Sequence, residues 1–80
     1  MIINLLAFGI AKDILNTNRS SVELEEKATI GELKETLLTQ YPEFQKLKSL
    51  SLAVGTEYRS DDFILSPSDE VVIIPPVSGG

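Results

Sequence analysis

Apolar residues are concentrated in two runs, one at the start of the chain and one near its end. Residues 1–8 form a near-continuous apolar run closed by Gly9, and residues 71–74 are four consecutive β-branched residues. Such runs are typical of central strands that are covered on both faces. In the first run one face has Ile3, Leu5 and Ala7, and the other has Ile2, Asn4, Leu6 and Phe8. Asn4 marks the second face as the one that meets solvent or a partner.

The segment between this first strand and the helix is more polar. Residues 9–18 lack strand periodicity and end in turn-forming residues, which predicts a loop with one helical turn around residues 11–15. Residues 19–26 then alternate, with Val22 and Leu24 on one side and charged or hydroxyl side chains on the other. This pattern predicts a half-buried strand at or near a sheet edge, where its charges discourage further pairing.

The helix has the clearest local signature. Thr29 and Glu32 form the T-x-x-E pattern of a capping box, with Thr29 as the N-cap. The apolar positions after this start form one stripe, and they are Ile30, Leu33, Leu37, Leu38 and Tyr41. Pro42 ends the helix because the residue before a proline avoids helical geometry. The stripe predicts a helix that packs on a sheet.

The rest of the chain predicts short strands and turns. Residues 43–50 are expected to form a short helical turn with Phe44 and Leu47 directed inward. Strands are expected at 50–54, at 57–59 and at 70–74, with a turn at Gly55. The order β-β-α-β-β-β, with apolar first and last strands, predicts an α+β domain. In its mixed sheet of four to five strands these two strands run side by side and parallel in the middle.

Composition excludes several functional classes. Eighty residues form one domain, and the absence of Cys and His removes the usual nucleophile, general base and metal ligands. The net charge of −5 argues against nucleic acid and against an anionic membrane surface as partners. No segment approaches the length of a membrane span. We therefore expect a cytoplasmic protein that binds no metal or cofactor of its own.

The last six residues form a distinctive end. Pro75 and Pro76 are expected to end the final strand and to project the remaining residues away from the sheet. Gly79 and Gly80 then provide a thin terminus whose carboxylate can enter a narrow site. The chain thus divides into a body of residues 1–74 and a flexible tail of residues 75–80. From composition alone, a working terminus and a loose end remain equally open.

The predicted element order with a terminal Gly-Gly resembles the β-grasp fold of ubiquitin-like proteins. More narrowly, three stretches resemble the small subunits of molybdopterin synthase, which are sulfur carriers. The stretches are Leu6-Ala7-Phe8-Gly9, Thr29-Ile30-Gly31-Glu32-Leu33, and the end from Asp69 to Gly80. The resemblance covers essentially the whole chain. Gly55 departs from it, since many relatives have Asn there, but this affects only a turn.

The resemblance implies a function for the tail. The carboxylate of Gly80 would be adenylated by an E1-like adenylating enzyme that uses ATP, and would then be converted to a thiocarboxylate. The large subunit of molybdopterin synthase would accept the tail, supply the catalytic groups and pass the sulfur to a pterin precursor. The residues expected to contact these partners are Ile74, Pro75, Pro76, Val77, Ser78 and Gly79. Leu6 and Phe8 are weaker candidates, and a core position is the favoured expectation for Phe8.

Three alternatives remain open at this point. A carrier with the same terminal chemistry could serve thiamine synthesis or tRNA thiolation. A ubiquitin-like modifier would join Gly80 to lysines of target proteins through an isopeptide bond. A plain binding module would have an accidental Gly-Gly end. The Pro-Pro-Val-Ser sequence before Gly79 favours the molybdopterin family.

Overall fold

The structure is a computed structural model that describes residues 1–46 and 50–74. Its strands are β1 (Ile2–Ala7), β2 (Arg19–Glu23), β3 (Ser51–Val54), β4 (Glu57–Tyr58) and β5 (Glu70–Ile74). Its helices are α1 (Gly9–Leu15), α2 (Ile30–Gln40) and a short 3₁₀ helix, Pro42–Lys46. The predicted inward turn after Pro42 is present, with Phe44 buried, whereas Leu47 lies outside the described residues.

The five strands form one mixed sheet in the order β2-β1-β5-β3-β4. The central strands β1 and β5 are parallel, with Leu5 opposite Val71 and Ala7 opposite Ile73, and all other pairs are antiparallel. The predicted parallel neighbours in the middle of the sheet are therefore confirmed. A parallel pair requires a crossover connection, and α2 lies in that connection. This is the β-grasp arrangement.

The core lies between one face of the sheet and the helices. Ile3 and Leu5 of β1, with Val71 and Ile73 of β5, are at most 2% exposed on this inner face. The helices cover them with the buried residues Ala11, Leu15, Ile30, Leu33 and Leu37. Within the described part of the chain no polar or charged side chain is buried. The core is therefore entirely apolar, as a small domain without disulfides requires.

The expectation that β1 and β5 are covered on both faces is wrong. Ile2 is 52% exposed and Asn4 is also exposed, although both belong to β1. Val72 and Ile74 of β5 are only partly buried. Because both α-helices lie on the inner face, no described helix covers the opposite face of the same strands. The prediction from Asn4 that the second face of β1 meets solvent is confirmed.

The N-terminus of α2 is held by two kinds of contact. The backbone N–H of Glu32 donates to Thr29 Oγ1 at 3.2 Å, and the Thr29 N–H donates to Glu32 Oε1 at 3.4 Å, which confirms the capping box. The N–H groups of Ile30 and Gly31 donate to the carbonyls of Phe63 and Asp61 at 2.9 and 2.8 Å. The helix start is thereby fixed to the loop that precedes β5.

Helix α1 is longer than the single predicted turn. It begins at Gly9, whose φ of 57° turns the chain sharply out of β1, and Phe8 precedes it without a side-chain cap. It ends at Asn16, which adopts the left-handed conformation at φ 62°. Because Gly9 and Phe8 are poor sequence markers of a helix start, the pattern of capping residues could not reveal this element.

We expect Thr29→Ala to lower the free energy of unfolding by about 1 kcal/mol, because the Glu32 N–H loses the Thr29 hydroxyl oxygen as its acceptor at the helix start. Thr39→Ala, at an exposed position of the same helix, is the matched control and should change stability far less. Urea denaturation followed by circular dichroism measures both. Equal midpoints for the two variants would contradict the role of the capping box.

Candidate functional site

The uncovered face of the sheet, opposite α2, is here called the outer face. Strand register defines a row across it in which Leu6 and Val72 are direct neighbours. Val72 also faces Ala53, and Ala53 faces Tyr58 at the β4 edge. Four adjacent strands therefore contribute one apolar row, in which Tyr58 is 67% exposed, Leu6 and Val72 are partly exposed and Ala53 is buried.

The apolar character of the outer face increases toward the end where β5 leaves the sheet. Beyond the last paired residues of β1 and β5, Phe8 and Ile74 follow Ala7 and Ile73 on neighbouring strands. Phe8 is 55% exposed and Ile74 is partly buried. The point at which residues 75–80 leave the body is thus bordered by apolar side chains.

The opposite end of the outer face is polar. Asn4 lies between Glu70 on β5 and Ser21 on β2, and the next row pairs Ile2 with Glu23. All five of these side chains are exposed. A face with apolar residues at one end and acidic residues at the other presents an oriented surface to a partner. Exposed apolar patches of this kind mark interaction sites.

The expected core position of Phe8 is wrong, and the physical reason is the turn at Gly9. Phe8 has extended geometry, with φ −132° and ψ 161°, and so continues the alternation of β1 by one residue. Because Ala7 faces the core, Phe8 must face outward. Gly9 then diverts the chain into α1, and the Phe8 side chain stays exposed. Its weaker role as a docking candidate is therefore the one that the geometry supports.

The remaining predicted contact residues divide between the described chain and the tail. Ile74 lies at the end of β5, beside Phe8, and Leu6 lies in the central row. Six predicted positions lie outside the described residues, and they are Pro75, Pro76, Val77, Ser78, Gly79 and Gly80. Ile74 and Phe8 therefore border the end of β5, and Leu6 lies one row further back beside Val72.

Sequence reasoning missed Tyr58 and Val72 as members of this surface. The apolar run predicts a fully buried strand for Val72, and the turn pattern predicts only a short return strand for Tyr58. The signal that could have found them is the register itself: once β5 pairs with both β1 and β3, every second residue of three strands shares one face.

The other charged clusters of the described chain have ordinary structural roles. Asp61 accepts from Lys34 Nζ at 2.7 Å, and Asp69 accepts from the Ser66 N–H at 2.8 Å. Within residues 1–46 and 50–74 no group of acidic side chains is arranged to hold a metal ion. No helix in the same residues is long and apolar enough to cross a bilayer.

Comparison with known proteins identifies the family. Residues 5–80 match the ThiS family. A curated relative, the molybdopterin synthase sulfur carrier subunit of Caenorhabditis elegans, is 36% identical over 81 residues, covering 98% of this chain and 96% of the relative. The chain belongs to the ThiS family. The family match includes β5, the second half of β1 and the whole tail, so Leu6, Phe8 and Ile74 all lie within it.

Solved structures support the fold assignment of this ThiS-family chain. A putative molybdopterin converting factor subunit 1 from Pyrococcus furiosus superposes with a TM-score of 0.87 and 22% identity, covering 96% of this chain and 99% of that one. A chain in a complex of subunits 1 and 2 of the molybdopterin-converting factor from Helicobacter pylori gives a TM-score of 0.68 and 20% identity, with full coverage of both chains. At these identities the likeness establishes the shared fold.

We expect Phe8→Ala to change the free energy of unfolding by less than about 1 kcal/mol, because half of the ring already contacts solvent. Leu5→Ala is the comparison within the same strand: Leu5 is 2% exposed on the inner face, and its truncation should cost roughly 2–5 kcal/mol. Denaturant unfolding of both variants measures the difference. A loss for Phe8→Ala as large as that for Leu5→Ala would place Phe8 in the core.

Proposed function

We propose that this chain is the sulfur carrier subunit of a molybdopterin synthase and that the carboxyl carbon of Gly80 holds the transferred sulfur. The 36% identity to the Caenorhabditis elegans subunit of that name, over almost the whole of both chains, is the observation on which the proposal depends. Two features of the molecule support it: the Gly79-Gly80 end, and an apolar surface where the tail begins.

The proposed chemistry requires an activating enzyme. The terminal carboxylate is ionised at neutral pH and therefore resists attack by a nucleophile. An E1-like enzyme would join this carboxylate to the α-phosphate of ATP with release of pyrophosphate. Sulfur at the oxidation level of sulfide would then displace AMP and leave a thiocarboxylate on Gly80. No side chain of this chain is needed as a catalyst in either step, and ATP binds to the activating enzyme.

The tail has the dimensions that this chemistry needs. The five residues after Pro75 span roughly 16 Å at full extension, which allows the terminus to enter a pocket while the body stays outside. Gly79 and Gly80 have no side chains, so partner backbone can approach the reacting carbon closely. A side chain at position 80 would add bulk where an activating enzyme must surround the carboxylate.

Ordering the tail on a partner costs conformational entropy, and contacts made by the body with that partner must help to offset this cost. Fixing six residues costs roughly 6–12 kcal/mol of conformational entropy, and the two prolines reduce this by restricting the free tail. Fully burying one large apolar side chain contributes about 1.5–3 kcal/mol, and less for one that is already half-covered. Phe8, Tyr58 and Ile74 together therefore offset only part of the cost. Contacts of the tail itself supply the rest.

The outer face is the docking surface that we assign to the large subunit of molybdopterin synthase. The Helicobacter pylori structure of similar fold is described as a complex of subunits 1 and 2, which supports a partner of this kind. In this chain the apolar end of the outer face surrounds the start of the tail, so one partner could cover both. The large subunit would provide the catalytic groups for transfer of sulfur to the pterin precursor.

Removal of Gly79 and Gly80 should abolish sulfur incorporation, and Gly80→Ala should reduce its rate, because the activated carbon is then absent or crowded. Intact mass spectrometry after incubation with an E1-like activating enzyme, ATP and a sulfur donor detects the exchange of one oxygen for sulfur. Ser78→Ala keeps the tail length and serves as the control. Normal incorporation by the truncated chain would overturn the proposal, and covalent conjugates with other proteins in cell extract would indicate a modifier instead.

Phe8→Ala should weaken binding to the large subunit by at least about tenfold, as expected for an aromatic anchor at the centre of an interface. Ile64→Ala is the matched control, since Ile64 is 56% exposed but lies outside the five strands of the sheet. Isothermal titration calorimetry with the purified large subunit measures both affinities. Equal losses for the two variants would show that the outer face is not the docking surface.

A further inference from the structure

Strand β2 (Arg19–Glu23) forms a free edge of the sheet, since it pairs only with β1 among the described strands. Just outside it, the Ala7 N–H donates to the Asn18 carbonyl at 3.0 Å, and the Leu24 N–H donates to the Met1 carbonyl at 2.8 Å. Hydrogen-bonded pairs alternate along an antiparallel ladder. The even-numbered residues of β2 therefore bond to β1, and the backbone groups of its odd-numbered residues point away from the sheet.

The odd-numbered residues of this edge are Arg19, Ser21 and Glu23, and all three side chains are exposed on the outer face. Their order makes the edge self-complementary. If a second copy pairs antiparallel with Ser21 opposite Ser21, then Arg19 of each copy faces Glu23 of the other. An Arg19–Glu23 ion pair thus lies on each side of the central Ser21–Ser21 pair. Opposite charges placed directly across two strands are favourable.

We propose that β2 pairs antiparallel with β2 of a second copy of this chain, centred on Ser21, to give a continuous ten-stranded sheet. Charge complementarity selects this partner and this register. Displacement by one pair sets either Arg19 or Glu23 of each copy against Ser21 of the other, so both ion pairs between residues of β2 are lost. Neither Arg19 nor Glu23 forms an ion pair within residues 1–46 and 50–74.

Thr17 competes with this association. Its hydroxyl donates to the Arg19 carbonyl at 3.0 Å, and the Arg19 N–H donates to Thr17 Oγ1 at 3.3 Å. Thr17 therefore occupies one end of the free edge with a local hydrogen-bonded turn. The central residue Ser21 and the far residue Glu23 have no such cover in the described part of the chain. Pairing with a second copy must release the Arg19 N–H from Thr17.

The dimer leaves the proposed docking surface open. A two-fold axis perpendicular to the sheet puts both outer faces on the same side. Five strand spacings separate the two β5 strands, which is about 24 Å. Because the copies run in opposite directions, their tails leave at opposite ends of the joined sheet. The association is thus independent of the function proposed for Gly80.

Charge reversal tests the register in the full chain. Arg19→Glu and Glu23→Arg should each raise the dimer dissociation constant at least about fivefold, because each turns two attractive cross-strand pairs into repulsive ones. The double variant restores both pairs in reverse and should return the constant to within about twofold of the natural chain. Sedimentation equilibrium at low salt measures all four proteins.

The two single variants also control for each other. Arg19→Glu makes the chain more acidic and Glu23→Arg makes it less acidic, so a general effect of net charge would move the two constants in opposite directions. Ser21→Pro removes the central N–H, which β1 does not use, and should abolish the dimer while circular dichroism shows an intact fold. Thr17→Val should tighten the dimer roughly threefold to tenfold by freeing the Arg19 N–H.

A monomer at every concentration reached would overturn the proposal. So would a dimer that is indifferent to charge reversal and is weakened by Phe8→Ala, because that result would show association through the outer face. If Arg19→Glu and Glu23→Arg each weaken the dimer and the double variant restores it, the β2 edge is established as the contact between the two copies.

Discussion

The parallel pairing of β1 with β5 is the constraint on which the rest of the structure depends. It joins the two ends of the chain in the middle of the sheet, so the connection between them must cross from one edge to the other. Helix α2 makes that crossing on one face and thereby produces the core. The same pairing brings the last described residue, Ile74, next to Phe8. The pairing of β1 with β5 therefore determines both where the tail starts and which apolar side chains lie next to it.

Because the helices cover only one face of the sheet, apolar side chains of the other face are exposed to water, which is unfavourable. Two helices are enough to bury the inner face of five short strands, but on the outer row Leu6 and Val72 stay partly exposed and Tyr58 stays largely exposed to water. Acidic residues at the far end of that face and a net charge of −5 keep such a chain in solution. An apolar surface kept at this cost is explained by a partner that covers it.

The sequence predicts those elements whose causes are local. The α2 start was predictable because the Thr29–Glu32 capping box is contained in four residues, and the edge position of β2 because alternation shows a half-buried strand. Two-sided cover of β1 was wrong because a continuous apolar run has two causes: burial on both faces, or burial on one face and docking on the other. Composition is the same in both cases. Only the position of the helices, which is a tertiary property, distinguishes them.

In the candidate site, prediction from local sequence fails in the same way at one residue, Phe8. Phe8 is apolar, aromatic and adjacent to the core, so every local scale favours burial. Its orientation is decided by the alternation of β1, since Ala7 faces the core and Phe8 keeps extended geometry before Gly9 turns the chain. Under the function proposed for Gly80, recognition of a partner depends on side chains such as Phe8, which face outward beyond the part of the strand that the core uses.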